Sequence, residues 1–112
     1  MSQIEVIKQQ EVLNQNFRVY GSIDEPLFLA RDVAEWIDYD LSSINKLMDM
    51  VDEEEKLNGT LFLSGQNRLV WFLTEDGLYE VLMQSRKPIA KAFKKEVKKI
   101  LKDLREIGRA HV

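Results

Sequence analysis

Apolar and polar residues alternate weakly through the first third of the chain, recur at helical spacing, alternate again, and finish on a long helical stripe. Ile4 and Val6 face one way, and Phe17 with Val19, then Leu27 to Leu29, make short extended runs. Asn14 to Asn16 and Gly21 to Pro26 supply the turns between them. A helix start follows. Asp32 is placed to accept from the free N–H groups of a first turn, Glu35 three residues later completes a capping-box pattern, and Val33, Trp36 and Ile37 form the apolar face. Asp40 or Ser42 caps a second short helix carrying Leu41, Ile44, Leu47, Met48 and Val51.

Asp52 to Glu55 read as a solvated loop or helix end, because a calcium loop needs alternating ligands and a glycine turn that are absent there. Gly59 to Leu63 and Arg68 to Leu73 flank Ser64-Gly65-Gln66-Asn67, which predicts a hairpin with a four-residue loop. The unbroken apolar run Leu69 to Leu73 predicts a strand buried on both faces. Thr74 suits an N-cap, Glu75 and Asp76 suit the positive end of the helix dipole, and Leu78, Val81 and Leu82 give that helix its stripe. Gly77 costs such a helix about 1 kcal/mol relative to alanine, so its backbone is expected to pack closely against a neighbour. Pro88 opens the last helix and Gly108 is its expected stop. The predicted order is β-β-β-α-α-β-β-α-α: one α+β domain over residues 1–112, a small antiparallel sheet with hairpins packed by about four helices.

In the last helix Ile89, Phe93, Val97, Ile100, Leu104 and Ile107 fall within a stripe about 80° wide. Lys91, Lys94, Lys95, Lys98, Lys102, Arg105 and Arg109 lie opposite. Charge sharpens the picture. The whole chain carries a net −3, yet Arg86 to Arg109 hold ten Lys/Arg against three acids, whereas residues 1–85 hold six against sixteen. Phosphate responds to the local field more than to the total. The lysines therefore admit several roles: a soluble surface with Glu96, Asp103 and Glu106 as local partners, contact with a nucleic-acid backbone, attachment to a membrane surface, or neutralisation of the acidic first half. The alternating spacing of four and three also permits a seam between two copies.

Composition narrows the remaining classes. With 45% apolar and 31% charged residues the chain has the make-up of a soluble globular domain, and no apolar run is long enough to cross a membrane. The absence of cysteine excludes disulfides and thiolate metal sites. His111, one residue from the C-terminus, is the only histidine, so no Ser/His/Asp or Cys/His set can be assembled, and no phosphate-cradling glycine loop occurs. Neither catalysis nor a cofactor is expected. The pair of short helices at 32–38 and 42–50 has helix-turn-helix spacing, with Ser43, Asn45 and Lys46 as base-reading candidates. Its five acids, Asp32, Glu35, Asp38, Asp40 and Asp49, argue against a place beside a duplex. Arg68, next to the hairpin tip, would let that hairpin act as a wing.

Several stretches, in order along nearly the whole chain, resemble the BRO-N domain of phage antirepressor-type and baculovirus BRO proteins. They are Phe17-Arg18-Val19, the segment from Leu27 to Ala34, Tyr39, Val51 to Lys56, the segment from Phe72 to Tyr79, and Ser85-Arg86-Lys87-Pro88 with Ala90 to Phe93. The chain departs from the family at Lys94, where a tryptophan-like residue is usual, and at Asp38-Tyr39, where Gly-Tyr is common. The resemblance implies an α+β domain that binds double-stranded DNA as part of a prophage or viral regulator in the bacterial cytoplasm, commonly followed by a second, variable domain. The expected contacts are Arg86, Lys87, Lys91, Lys94, Lys95, Lys98, Lys102 and Arg105, with Arg68 from the hairpin, and a homodimer would double them. The alternative is a protein–protein or oligomerisation module that grips a phage repressor without binding DNA.

Overall fold

A computed structural model describes residues 4–110, and the elements follow the expected order. Three strands, β1 (Val6–Val12), β2 (Gln15–Gly21) and β3 (Pro26–Leu29), lead into helix α1 (Ala30–Trp36). A 3-10 turn at Leu41–Ser43, helix α2 (Ile44–Met48) and a second 3-10 turn at Glu53–Glu55 precede strands β4 (Lys56–Leu63) and β5 (Gln66–Thr74). Helices α3 (Glu75–Gln84) and α4 (Pro88–Ala110) end the chain, so α4 runs through Gly108 instead of stopping there. The five strands form one antiparallel sheet in the order β1-β2-β3-β5-β4.

The β1–β2 and β4–β5 hairpins turn on two residues. Leu13 and Asn14 have φ of 50° and 66°, and Ser64 and Gly65 have 51° and 81°, a left-handed pair whose twist matches the flanking strands. The expected four-residue loop at 64–67 is thus corrected, since Gln66 and Asn67 already belong to β5 and pair with Leu63 and Phe62.

The main core lies between the helices and one sheet face, and Trp36 is its centre. Its indole stacks on Phe93 of α4 (centroids 5.2 Å apart, planes 6° apart), meets Phe17 of β2 at 5.0 Å, and donates Nε1–H to the Asn16 carbonyl at 2.7 Å. One side chain thereby fixes β2, α1 and α4 together. A smaller cluster on the other face joins Tyr20, Leu29, Leu61 and Phe72, with Ile4 against it. There the Ile4 N–H donates to the Thr60 carbonyl at 3.3 Å, tying the chain just before β1 to β4 and curling the sheet around this cluster.

Two expectations about polar residues change. Asp32 does not cap α1: the helix begins at Ala30 with no side-chain cap, and Asp32 sits inside the first turn, 6% exposed. Its carboxylate meets the Arg18 guanidinium at 3.3 Å, while its second oxygen has no partner among the described residues. Burial pushes the Asp32 carboxyl above its usual range, against the opposing pull of Arg18. The capping box lies instead in the acidic run, where Asp52 and Glu55 exchange side-chain and backbone bonds. The expectation of a strand buried on both faces holds for Phe72 and Leu73 but fails at Leu69, which is 71% exposed, because the far half of this hairpin projects past the helical layer.

Thr74 caps α3 as expected, accepting from the Gly77 N–H at 3.1 Å and donating its own hydroxyl to the Glu55 carbonyl at 3.3 Å. The close packing expected of Gly77 is present too, since a Cβ there would overlap that same Glu55 carbonyl oxygen. Gly77→Ala, favoured by about 1 kcal/mol on helix propensity alone, is therefore expected to destabilise the fold by about 1–3 kcal/mol. Urea denaturation reads this directly, and a midpoint that is unchanged or raised contradicts the contact.

Candidate nucleic-acid interface

The orientation of α4 follows from its apolar stripe. Ala90, Phe93, Val97, Ile100 and Leu101 are buried and Ile89 and Leu104 half-buried, with only Ile107 at the far end of the stripe largely exposed (59%). With that side committed, the remaining arc must face outward. Lys91, Lys95, Lys98, Lys99 and Lys102 are exposed, and Lys94 is half-buried at the border. Lys91, Lys95, Lys98 and Lys102 form a row one turn apart, about 16 Å long at 1.5 Å per residue. Two of the helix's three acids, Glu96 and Asp103, line a groove with Lys99 against Lys8 and Gln10 of β1, and the third, Glu106, is exposed one turn beyond Lys102.

Whether these ammonium groups are free decides what the face can do. None of the six lysines from Lys91 to Lys102 forms an ion pair among the described residues. Asp103 and Glu106, candidate local partners from the sequence, do not engage them. Lys98 alone has a specific contact, its Nζ lying 5.6 Å from the centre of the Tyr79 ring, which leaves the charge at the surface.

The other expected contacts divide. Arg105 is not free: its guanidinium makes a two-pronged pair with the Glu75 carboxylate, which also accepts from the Tyr79 hydroxyl at 2.9 Å. This correction has a physical reason, because α3 and α4 pack side by side and bring residues 30 apart in sequence into contact. Lys87 donates to the Asp38 carbonyl and lies 3.9 Å from its carboxylate, so it ties the start of α4 to the end of α1. Arg86 is exposed beside it with no ion pair among the described residues, and so is Arg68, on the separate β4–β5 hairpin. The Arg109 side chain and His111 lie outside the described residues. Lys99 was missed by sequence reasoning, although a helical projection puts it only about 40° from Lys95.

The paired helices α1 and α2 are a weak groove reader. Helix α2 has five residues, and the exposed Asn45 and Lys46 sit among exposed Glu35, Asp38, Asp40 and Asp49. No described helix is long and apolar enough to cross a membrane, and no described group of three or more His, Cys, Asp or Glu could hold a metal.

Comparison with known families matches residues 16–103 to the family described as "BRO family, N-terminal domain". The chain belongs to the BRO family. The match runs from β2 through most of α4, so it takes in the Trp36 core and every lysine of the basic row. No curated protein and no solved structure matches the chain significantly.

Partial burial disfavours the Glu75 carboxylate, yet the bonds from Arg105 and Tyr79 outweigh it and hold the group below the usual carboxylate range. A depressed folded value means that the clamp stabilises the fold above the unfolded value near 4.5 and loses that contribution as pH falls through the folded one. Glu75→Gln is thus expected to lower the melting temperature at pH 7 and to flatten the fall in stability as the pH drops below about 5. Parallel melting curves for the two proteins across that range would rule out the clamp.

Proposed function

We propose that this BRO-family domain binds double-stranded DNA through phosphate contacts made by the exposed face of α4, as a non-catalytic module of a phage- or virus-type transcriptional regulator. What carries the reading is the row Lys91, Lys95, Lys98 and Lys102, whose ammonium groups lack any carboxylate partner among the described residues. Unpaired cations spaced by one helical turn gain most from a polyanion, because each phosphate they neutralise releases condensed counterions. Arg86 at the entry to α4 and Lys99 on its flank extend the patch. Arg105 supports it indirectly, by locking α4 against α3 so that the row is presented on a rigid rod.

This reading is of affinity and register more than of base recognition. Phosphate contacts position a protein on a duplex without reading its sequence, and the short, acid-flanked α2 offers little to the major groove. Binding is accordingly expected to be strongly salt-dependent and weakly sequence-dependent. Fluorescence anisotropy with a labelled duplex at several salt concentrations measures both. Single replacement of Lys91, Lys95 or Lys102 by Ala should reduce the slope of log K against log salt by about 0.9. Replacing all three with Glu should abolish binding while far-UV circular dichroism and melting stay unchanged, because none of the three touches the core. Undiminished affinity in that triple variant would remove α4 as the contact surface.

A further inference from the structure

Strand β5 is interior to the sheet by order, yet half of one side is open. Strand β3 pairs with it only at Phe72, Leu73 and Thr74, because the chain leaves the sheet at Leu29 and turns into α1. The hairpin closes at Leu63 and Gln66, so in an antiparallel ladder Gln66, Arg68 and Val70 direct their backbone groups to β4, while Leu69 and Trp71 direct theirs away. Across that side the β3–β5 ladder has no pair for Leu69, and the Leu29–Phe72 pair that ends it places the Trp71 carbonyl against the Ala30 N–H. The usual protections of an edge are missing here, with no proline, bulge or lysine from Gln66 to Trp71. By contrast β4, the outer strand beside it, is tied back to Ile4.

The surroundings specify what would fit. A groove of about 200 Å³ runs along the open side, with Ala30, Ile44, Val70 and Trp71 as apolar wall and Arg31 and Arg68 at its margin. Both arginines are exposed and neither forms an ion pair among the described residues. On the helix-side face of the hairpin Leu69 is 71% exposed, and Phe62 of β4, on the same face, is 58% exposed. Arg68 points to the opposite face, since adjacent strand residues alternate.

We propose that residues 68–71 of β5 accept an extended peptide segment of a partner protein, one that alternates apolar residues with carboxylates. Its backbone would bond to Leu69 and to the Trp71 N–H, its apolar side chains would cover Leu69, and its carboxylates would reach Arg31 and Arg68. A second copy of this chain fits less well, because pairing β5 with β5 brings Arg68 and Arg31 against their own kind. A nucleic-acid backbone would satisfy the arginines but leave the apolar strip uncovered. The surface is separate from the α4 face, so it stands or falls independently of DNA binding.

The test uses labelled octapeptides alternating Val and Glu, the same with Val and Lys, and two Val/Glu versions N-methylated at one or the other set of alternate residues. The Val/Glu peptide should bind at least tenfold more tightly than the Val/Lys peptide, and only one N-methylated version should lose binding, because one side of an added strand faces β5 and the other faces away. Arg31→Glu with Arg68→Glu should reverse the charge preference, and hydrogen exchange at the Leu69 and Trp71 amides should slow when peptide is present. Leu69→Pro, which removes only an outward N–H, should weaken binding with the melting temperature retained. Absence of Val/Glu binding, equal tolerance of both methylated peptides, dimerisation that Leu69→Pro abolishes, or a double-arginine variant that loses duplex DNA and no peptide would each overturn the proposal.

Discussion

The stacking of Phe93 on Trp36 is the contact on which the rest of the molecule depends. Trp36 is already held by Phe17 and by its bond to the Asn16 carbonyl, so the stack sets how far α4 is rotated about its own axis. Once Phe93 points inward, Val97, Ile100 and Leu101 follow at helical spacing, and the lysines between them have no direction left but outward. Basic surface and hydrophobic core are two sides of one periodicity. Aromatic pairs of this kind contribute about 0.5–1.5 kcal/mol beyond their buried area, but here the stack matters more for orientation than for energy.

Charge is sorted around the same axis. Glu96 and Asp103 turn toward β1, Arg105 meets Glu75 at the α3 side, and the lysine row between them stays unpaired among the described residues. A chain with net charge −3 can therefore present a surface of opposite sign. The Glu75–Arg105–Tyr79 contact complements the aromatic stack. It lies three turns further along α4 and resists rotation where the apolar stripe thins out toward Ile107.

Much of this was legible in the residues. The element order, the inward stripe of α4, the Thr74 cap and the close approach at Gly77 all rest on local rules that the fold respects. The misses have physical causes. Asp32 and Glu35 carry the spacing of a capping box, but α1 starts two residues earlier, so the pattern falls inside the helix and Asp32 is drawn into a buried pair with Arg18, fourteen residues away. Asp52 and Glu55 carry the same spacing and do form the box, around a 3-10 turn too short to show a helical period. Ser64 adopts a left-handed conformation that its residue type does not advertise, which hid the two-residue turn. Leu69 looked interior because hydrophobicity records what can be buried, not how far the covering layer extends. Arg105 could not be separated from its lysine neighbours, since its partner lies 30 residues back and only helix packing joins them.

The proposed DNA binding depends on the outward lysines of α4 being the surface that meets the duplex. Acetylation footprinting with a limiting amine-reactive reagent, read by mass spectrometry with and without duplex, measures that residue by residue. Protection of Lys91, Lys95, Lys98 and Lys102 by duplex, with Lys8 and Lys46 modified equally in both conditions, is the predicted result. Equal modification of the α4 row with and without saturating duplex, or protection centred on Lys46, would contradict it.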